Sequence, residues 1–502
     1  MKVLRCATYE GLNAKVVDVE TTLTKGLPSF GLVGMASTAI SEARDRVKSA
    51  LLSNAFKFPP KRVTINLAPS DVKKEGSQFD LSMALLIALN EDEKDFTEWF
   101  AFGELGLDGR IKENFQLYPL LLSLANQGIL EKAIVPFESL TKVMKIPNVK
   151  FYGMKNLNEA IEFLKDESTY KRDVEHNPII FPYYESHHTK YYYIKEYDED
   201  FIDVKGQEIA KRAVLIAAAG FHNIILEGSP GCGKSMISKR LRYILPPMSN
   251  SEILDVAKLQ SLDFKEPEFS PRRPYRAPHH TSTLSSIFGG GSRQAMIGEV
   301  GLAHNGILMF DELPHFSKNL LEALREPLED KKIRIARVNS KVEYPTDFLF
   351  VGAMNPCPCG NLLNELKECR CSDLEIQRYK NRLSTPFLDR IDLNVMMQNA
   401  KSDDKPSLSS KEMHKKVVQA HMFSKRRGQK QLNAKLNDKE IEMYCLMSEE
   451  AKNTLEVAIE RFTLSFRSIK KIQKVSRTIA DLEACETIEK KHLLEALSYR
   501  RR

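Results

Sequence analysis

Apolar residues recur along this chain with two different periods, and the places where one gives way to the other mark out its elements. Short aliphatic runs at residues 14–19, 63–67 and 132–135 predict strands. Residues 38–53 instead carry apolar positions at helical spacing, and residues 81–89 are apolar on nearly all sides, as an enclosed helix has to be. Together they predict an α/β domain over residues 1–165. Residues 166–200 break the rhythm with tyrosines, charges and prolines that keep no period, and read as a linker whose rings pack along a domain surface. The α/β alternation returns over residues 201–398, and residues 399–502 are helical in pattern.

Length and composition narrow the class. A chain of 502 residues exceeds the roughly 250 to 300 residues at which a single core stops growing, so several domains are expected. With 42% hydrophobic and 28% charged residues it has the balance of a folded globular chain. No run of about 18 apolar residues is present, which predicts no membrane span. The first residues alternate and carry acids early, unlike a secretory signal, so a cytoplasmic location is expected. The net charge of +7 is small for this length, and its distribution matters more than its size. Lys425, Arg426, Arg427 and Lys430 form one basic run, which reads as a solvated face.

The strongest local signal is an apolar strand followed by Gly228-Ser229-Pro230-Gly231-Cys232-Gly233-Lys234-Ser235 and then, from Met236, a helix. This is the complete P-loop pattern in its strand–loop–helix context. Its glycines let backbone N–H groups turn in around phosphate oxygens, and the helix directs its positive end at the same anions. Lys234 is expected to reach the terminal phosphates of ATP and Ser235 to hold Mg2+. Downstream, GILMFDEL predicts a buried strand ending in Asp311 and Glu312. Adjacent carboxylates there can divide the labour, Asp311 as a second magnesium ligand and Glu312 as the base for attacking water. A further strand, FLFVGAMN, ends in Asn355, placed to orient that water.

Two other patterns bear on chemistry. Cys357, Cys359, Cys369 and Cys371 form a C-x-C pair followed by another, and four thiolates so spaced can wrap a structural zinc, with an unmetallated thiol cluster as the alternative. Four protein ligands leave no open position, so a catalytic zinc is not expected. Between Glu312 and Asn355, KKIRIARVNSKVEYPTDF predicts a hairpin bearing Arg334, Arg337 and Lys341. An insertion before it adds Arg272, Arg273, Arg276 and the pair His279–His280, which reads as a packing or subunit-contact feature.

These motifs resemble those of AAA+ ATPases, and the longer strings RPYRAPHHTSTLSSIFGGG, GEVGLAHNGILMFDELPHF, NPCPCG and KVSRTIADL resemble the YifB/ComM group of magnesium-chelatase-like ATPases over nearly the whole chain. The resemblance implies an AAA+ core with a parallel sheet and a C-terminal helical lid. It makes Asn355 the first sensor, Arg390 in FLDRID an arginine finger acting across a subunit boundary, and Arg467 the second sensor, with Arg477 as runner-up. Val204 and Gly206 would cover adenine. The hairpin would point into the channel of a ring, a hexamer by class, where basic side chains suit a DNA backbone. Residues 1–165 resemble the proteolytic domain of Lon, with Gln78 and Tyr118 at the places of the catalytic Ser and Lys; a degenerate domain is therefore expected, with a shifted Ser77–Lys112 dyad as the lesser alternative. The implied activity is a DNA translocase promoting branch migration in recombination and DNA uptake. A protein-remodelling motor of the magnesium-chelatase type is the alternative.

Overall fold

The computed structural model describes residues 2–34, 38–172, 176–290, 296–337, 340–364, 367–399 and 404–500. Its backbone forms two compact units. One comprises Met1–Ile180 with Ala257–Phe269 and Val338–Val342, the other Phe181–Val256, Ser270–Arg337 and Glu343–Arg502.

The first unit is built on a seven-stranded sheet. The strand Lys2–Glu10 turns at Gly11, whose φ of 67° suits glycine, and pairs antiparallel with Asn13–Thr24. Parallel strands Phe100–Ala101, Lys132–Pro136 and Lys150–Met154 extend the sheet on one side. Helix Asp80–Ala88 is buried from Asp80 to Ile87, which explains a sequence with no polar stripe. Its one charge, Asp80, is pushed up to about 6 by burial, while Arg46 pulls it down through hydrogen bonds of 2.7 and 3.1 Å.

The second unit holds a five-stranded parallel sheet in the order Tyr275–Arg276, Ile307–Phe310, Leu349–Met354, Ile224–Gly228, Leu393–Met397. Leu349–Met354 is buried at every position, as a strand covered on both faces requires. Because Ile224–Gly228 lies between two strands that follow it in sequence, Leu349–Met354 and Leu393–Met397, the loops leaving its carboxyl end open a crevice, the usual place for a ligand on such a sheet. Helices Glu208–Gly220, Ser410–Arg426 and Phe466–Leu482 contribute Val214, Val417 and Ile479 to the core behind it.

The rings of residues 166–200 pack along a helix as expected, but on a segment that also forms strands, and the basic run departs from its reading. Inside residues 166–200, Tyr183–Ser186 pairs with Thr189–Tyr192, which pairs with Met248–Ser249. Tyr184 hydrogen-bonds His421 and Tyr197 meets His414 Nδ1 at 3.0 Å, so the tyrosines fasten this segment to the Ser410–Arg426 helix. The basic run is also not a uniformly solvated face. Lys425 is buried and donates to the Lys430 carbonyl, and Arg427 donates to both oxygens of Asp481 at 2.5 and 2.9 Å. A one-dimensional charge run does not reveal which cations face a neighbouring helix. Among the described residues no helix is long and apolar enough to cross a membrane.

Candidate nucleotide-binding site

Three strand ends converge at the carboxyl edge of the parallel sheet. Ile224–Gly228 runs into the P-loop, and helix Lys234–Leu241 starts directly behind it. Gly231 and Gly233 take φ of 82° and 97°, which a side chain would resist. At Gly228 a Cβ would come within 2.7 Å of Cys232 Sγ and 2.9 Å of the Met397 carbonyl, so only glycine lets the loop fold this tightly. Lys234 Nζ donates to the carbonyls of Gly228 at 2.6 Å and Ser229 at 3.0 Å and to Asn355 Oδ1 at 3.1 Å. Ser235 Oγ donates to Asp311 Oδ2 at 3.0 Å. Residues from three separated strings therefore form one hydrogen-bonded set. Ser229 and Cys232 are buried, Pro230 and Gly231 are exposed, and Met236 is 41% exposed at the rim.

The Val204–Gly206 segment reaches the same loop through a residue the sequence reading passed over. Val204 is buried, and Gly206, at φ 61°, has no room for a Cβ beside Asp404. Gln207 follows in the left-handed region and its amide donates to the Cys232 carbonyl at 3.2 Å.

Glu312 is exposed, adopts φ 50°, and its N–H donates to Asp311 Oδ1 at 2.9 Å. Left-handed backbone at a non-glycine residue costs energy and is concentrated at functional sites. His280 Nδ1 lies 3.6 Å from Glu312 Oε2, with the His279 ring 4.1 Å from that of His280. The histidine pair, read from sequence as a packing or subunit-contact feature, borders the candidate base. Their order in the chain hides this; His280 arrives because Tyr275–Arg276 lies beside Ile307–Phe310 in the sheet.

The cysteines are brought together. Sγ separations are 3.5 Å for Cys357–Cys359, 3.7 Å for Cys357–Cys369 and 3.6 Å for Cys359–Cys369, and the four ligand atoms, Cys371 included, lie within 4.8 Å of one another. A zinc tetrahedron with Zn–S near 2.3 Å has edges of about 3.8 Å. The donor set and its dimensions fit that ion. Gly360, at φ 78°, abuts Pro230, and a Cβ would fall 2.5 Å from its Cδ, so this insert buttresses the P-loop.

The arginines assigned by resemblance lie elsewhere in this unit. Arg390 and Arg467 both meet Glu329, Arg467 at 3.3 Å, beside a cavity of about 570 Å³. Neither has a hydrogen bond or ion pair to the P-loop among the described contacts. Asn223 fixes the segment before the last strand: its side chain donates to the Arg390 carbonyl at 2.9 Å and accepts from Phe350 N–H at 2.9 Å. Burial pushes the Asp392 carboxyl up, but the His222 hydrogen bond and the Lys471 charge prevail and hold it at about 2. Arg477 is fully buried on Asp481 and the carbonyls of Cys485 and Glu486, a structural arginine with no access to phosphate. The hairpin is present as Lys332–Arg337 paired with Ser340–Pro345. Its Arg334 is paired with Glu343 at 2.7 Å, while the side chains of Arg337 and Lys341 lie outside the described residues.

In the first unit Gln78 is buried and its amide donates to the carbonyls of Ala7 and Glu75, while Tyr118 packs edge-on against Phe269. Ser77 Oγ donates to Glu104 at 2.5 Å.

The chain matches the family model described as magnesium chelatase, subunit ChlI, over residues 200–405. Models for subunit ChlI of Mg-chelatase and for its C-terminal part match residues 19–139 and 407–500. It is 37% identical over 507 residues to the YifB protein of Salmonella typhimurium, covering 98% of this chain and 95% of that one. Competence protein ComM of Haemophilus influenzae is 37% identical over 503 residues with the same coverage. The magnesium-chelatase 67 kDa subunit of Heliobacterium mobile is 25% identical over 183 residues, 30% of this chain and 27% of that protein. With a P-loop, an acidic strand end and Asn355 on one parallel sheet edge, and with 37% identity to the YifB and ComM proteins over nearly the full length of each chain, the chain belongs to the YifB/ComM family of magnesium-chelatase-like AAA+ ATPases.

Proposed function

We propose that this chain is the ATP-hydrolysing subunit of a ring, a hexamer by class, that translocates on DNA and promotes branch migration. The observation that carries the ATPase part is the linked set of Lys234, Ser235, Asp311 and Asn355 at the sheet edge, with Glu312 adjacent. Lys234 and the P-loop N–H groups bind the ATP phosphates, Ser235 and Asp311 hold Mg2+, and Val204 and Gly206 cover the base. Bound magnesium neutralises charge on the phosphates and orients them. Glu312 accepts a proton from the water that attacks the γ-phosphorus, Asn355 orients that water, and ADP and phosphate leave. Arg390 acts on a neighbouring subunit's nucleotide, and Arg467, on the same cavity, is the second sensor that contacts phosphate. Cys357, Cys359, Cys369 and Cys371 hold a structural zinc. Residues 201–398 form the ATPase core, 399–502 the lid, and 1–165 a Lon-like module without protease chemistry, consistent with the carbonyl-bound amide of Gln78 and the packed ring of Tyr118.

Kinship to a competence protein and the basic hairpin favour DNA as the track. The family models, described by a magnesium-chelatase subunit, favour a second reading, a motor that remodels a protein partner. ATP turnover measured alone, with single-stranded DNA and with forked DNA separates the two. Stimulation by forked DNA together with strand displacement is the expected result. Turnover indifferent to DNA, with no retardation of either substrate, rejects DNA as the track.

A further inference from the structure

We propose that Glu329 is an internal counter-anion that holds Arg390 and Arg467 as a pair within the chain and gives way to the phosphates of a neighbouring subunit's nucleotide. The inference rests on the reading of Arg390 as a finger acting across a subunit boundary. Glu329 Oε2 accepts from Arg390 Nη2, and its other oxygen, Oε1, lies 3.3 Å from Arg467 Nη2. One carboxylate thus bridges two arginines that are distant in sequence, as two oxygens of a phosphate would. Arg390 is folded back: Nε donates to the Arg325 carbonyl at 3.2 Å and Nη1 to the Pro386 carbonyl at 2.5 Å, leaving its side chain 10% exposed. A finger in this position has to be released before it reaches another subunit.

Charge and position make Glu329 displaceable. The cavity it borders is lined by seven lysines and arginines against four carboxylates. An incoming polyphosphate finds an excess of positive charge there, even though Lys470 is paired with Asp438 at 2.8 Å and Lys471 lies 3.7 Å from Asp392. The Glu329 and Arg467 side chains are 46% and 42% exposed, and an ion pair between groups so exposed is weak. Glu329 also lies in helix Arg325–Asp330, which leads directly into the Lys332–Arg337 strand of the hairpin.

The test is ATP turnover of the full chain as a function of protein concentration, for wild type, Glu329→Gln, Glu329→Asp and Arg390→Ala, with thermal melts and binding of a fluorescent ATP analogue as controls. Removing the competing anion should lower the concentration giving half-maximal specific activity by about fivefold in Glu329→Gln. Glu329→Asp, anionic but one methylene shorter, should shift in the same direction by less, and supplies the reading should the Gln variant fail to fold. A curve that stays in place, or moves to higher concentration, overturns the proposal. Arg390→Ala separates the underlying reading: lost turnover with intact analogue binding, regained on mixing with Lys234→Ala chains, upholds the finger whatever Glu329 does, and normal turnover removes both.

Discussion

Lys234 and Glu312 sit at opposite ends of the hydrogen-bonded set, and their chemistry predicts different losses. Lys234→Ala should abolish nucleotide binding, since its ammonium is the charge placed for the terminal phosphates. Glu312→Gln should still bind and lose turnover by roughly 10²- to 10⁴-fold, the range for a general base. Equilibrium binding of a fluorescent nucleotide beside steady-state turnover distinguishes them; equal loss of affinity in both contradicts the assignment. His280 adds a finer test. It lies 3.6 Å from the Glu312 carboxylate and has no hydrogen bond or ion pair to the P-loop among the described contacts. His280→Ala should therefore lower turnover about tenfold or more, as small misplacements of a reacting group do, and leave binding unaltered.

At the scale of elements, the cysteine insert and the C-terminal helices answer to different conditions. One zinc per chain is expected by elemental analysis of protein purified under reducing conditions without chelator, and none in Cys369→Ser. Because Gly360 abuts Pro230, stripping the metal should weaken nucleotide binding as well as loosen the insert. Retained full affinity after verified metal loss would separate the two features. Burial keeps two imidazoles neutral: His414, on the Ser410–Arg426 helix and hydrogen-bonded to Tyr197, and His304, which precedes the Ile307–Phe310 strand and accepts from the Asp347 N–H. His304 and His414 are both pushed down to about 4. The unfolded chain takes up their protons first, near 6.5, so it is favoured as pH falls from about 6.5 to 4. The stability these sites contribute is full above that window and absent below it. Denaturant midpoints should drop across the window, and His414→Gln should flatten part of the slope.

For the whole molecule, the decisive experiment concerns copies of the chain acting on one another. Arg390→Ala and Lys234→Ala chains should each be inactive alone, the former by about 10³-fold or more. Their mixture should regain turnover, since an interface pairing an intact P-loop with an intact arginine can form. Mixed rings that assemble and stay inactive shift attention to Arg382, whose guanidinium donates to the Pro314 carbonyl beside the acidic strand end.

Much of this was legible in one dimension. The parallel core was readable because buried strands are continuous apolar strings, and the P-loop because its glycines, lysine and serine are contiguous on a strand–loop–helix turn. Asp311 and Asn355 meet the P-loop because each follows a strand of the same sheet, so strand ends alone predict their neighbourhood and that of Glu312 beside Asp311. The cysteines could be grouped by spacing, since a short loop can only bring near what is already near. Side-chain direction was not legible. Arg467 and Arg477 lie on the same helix, yet one reaches Glu329 at the surface and the other is sealed against Asp481. Lys425 reads as solvated and is buried, and His280 reads as a packing or subunit-contact feature and borders Glu312. The arrangement of the candidate nucleotide site could be read in one dimension, because backbone geometry at a strand end is local. Which cations meet which carboxylates was decided only by the tertiary structure, because those partners come from helices and strands far apart in the chain and their facing depends on how the elements pack.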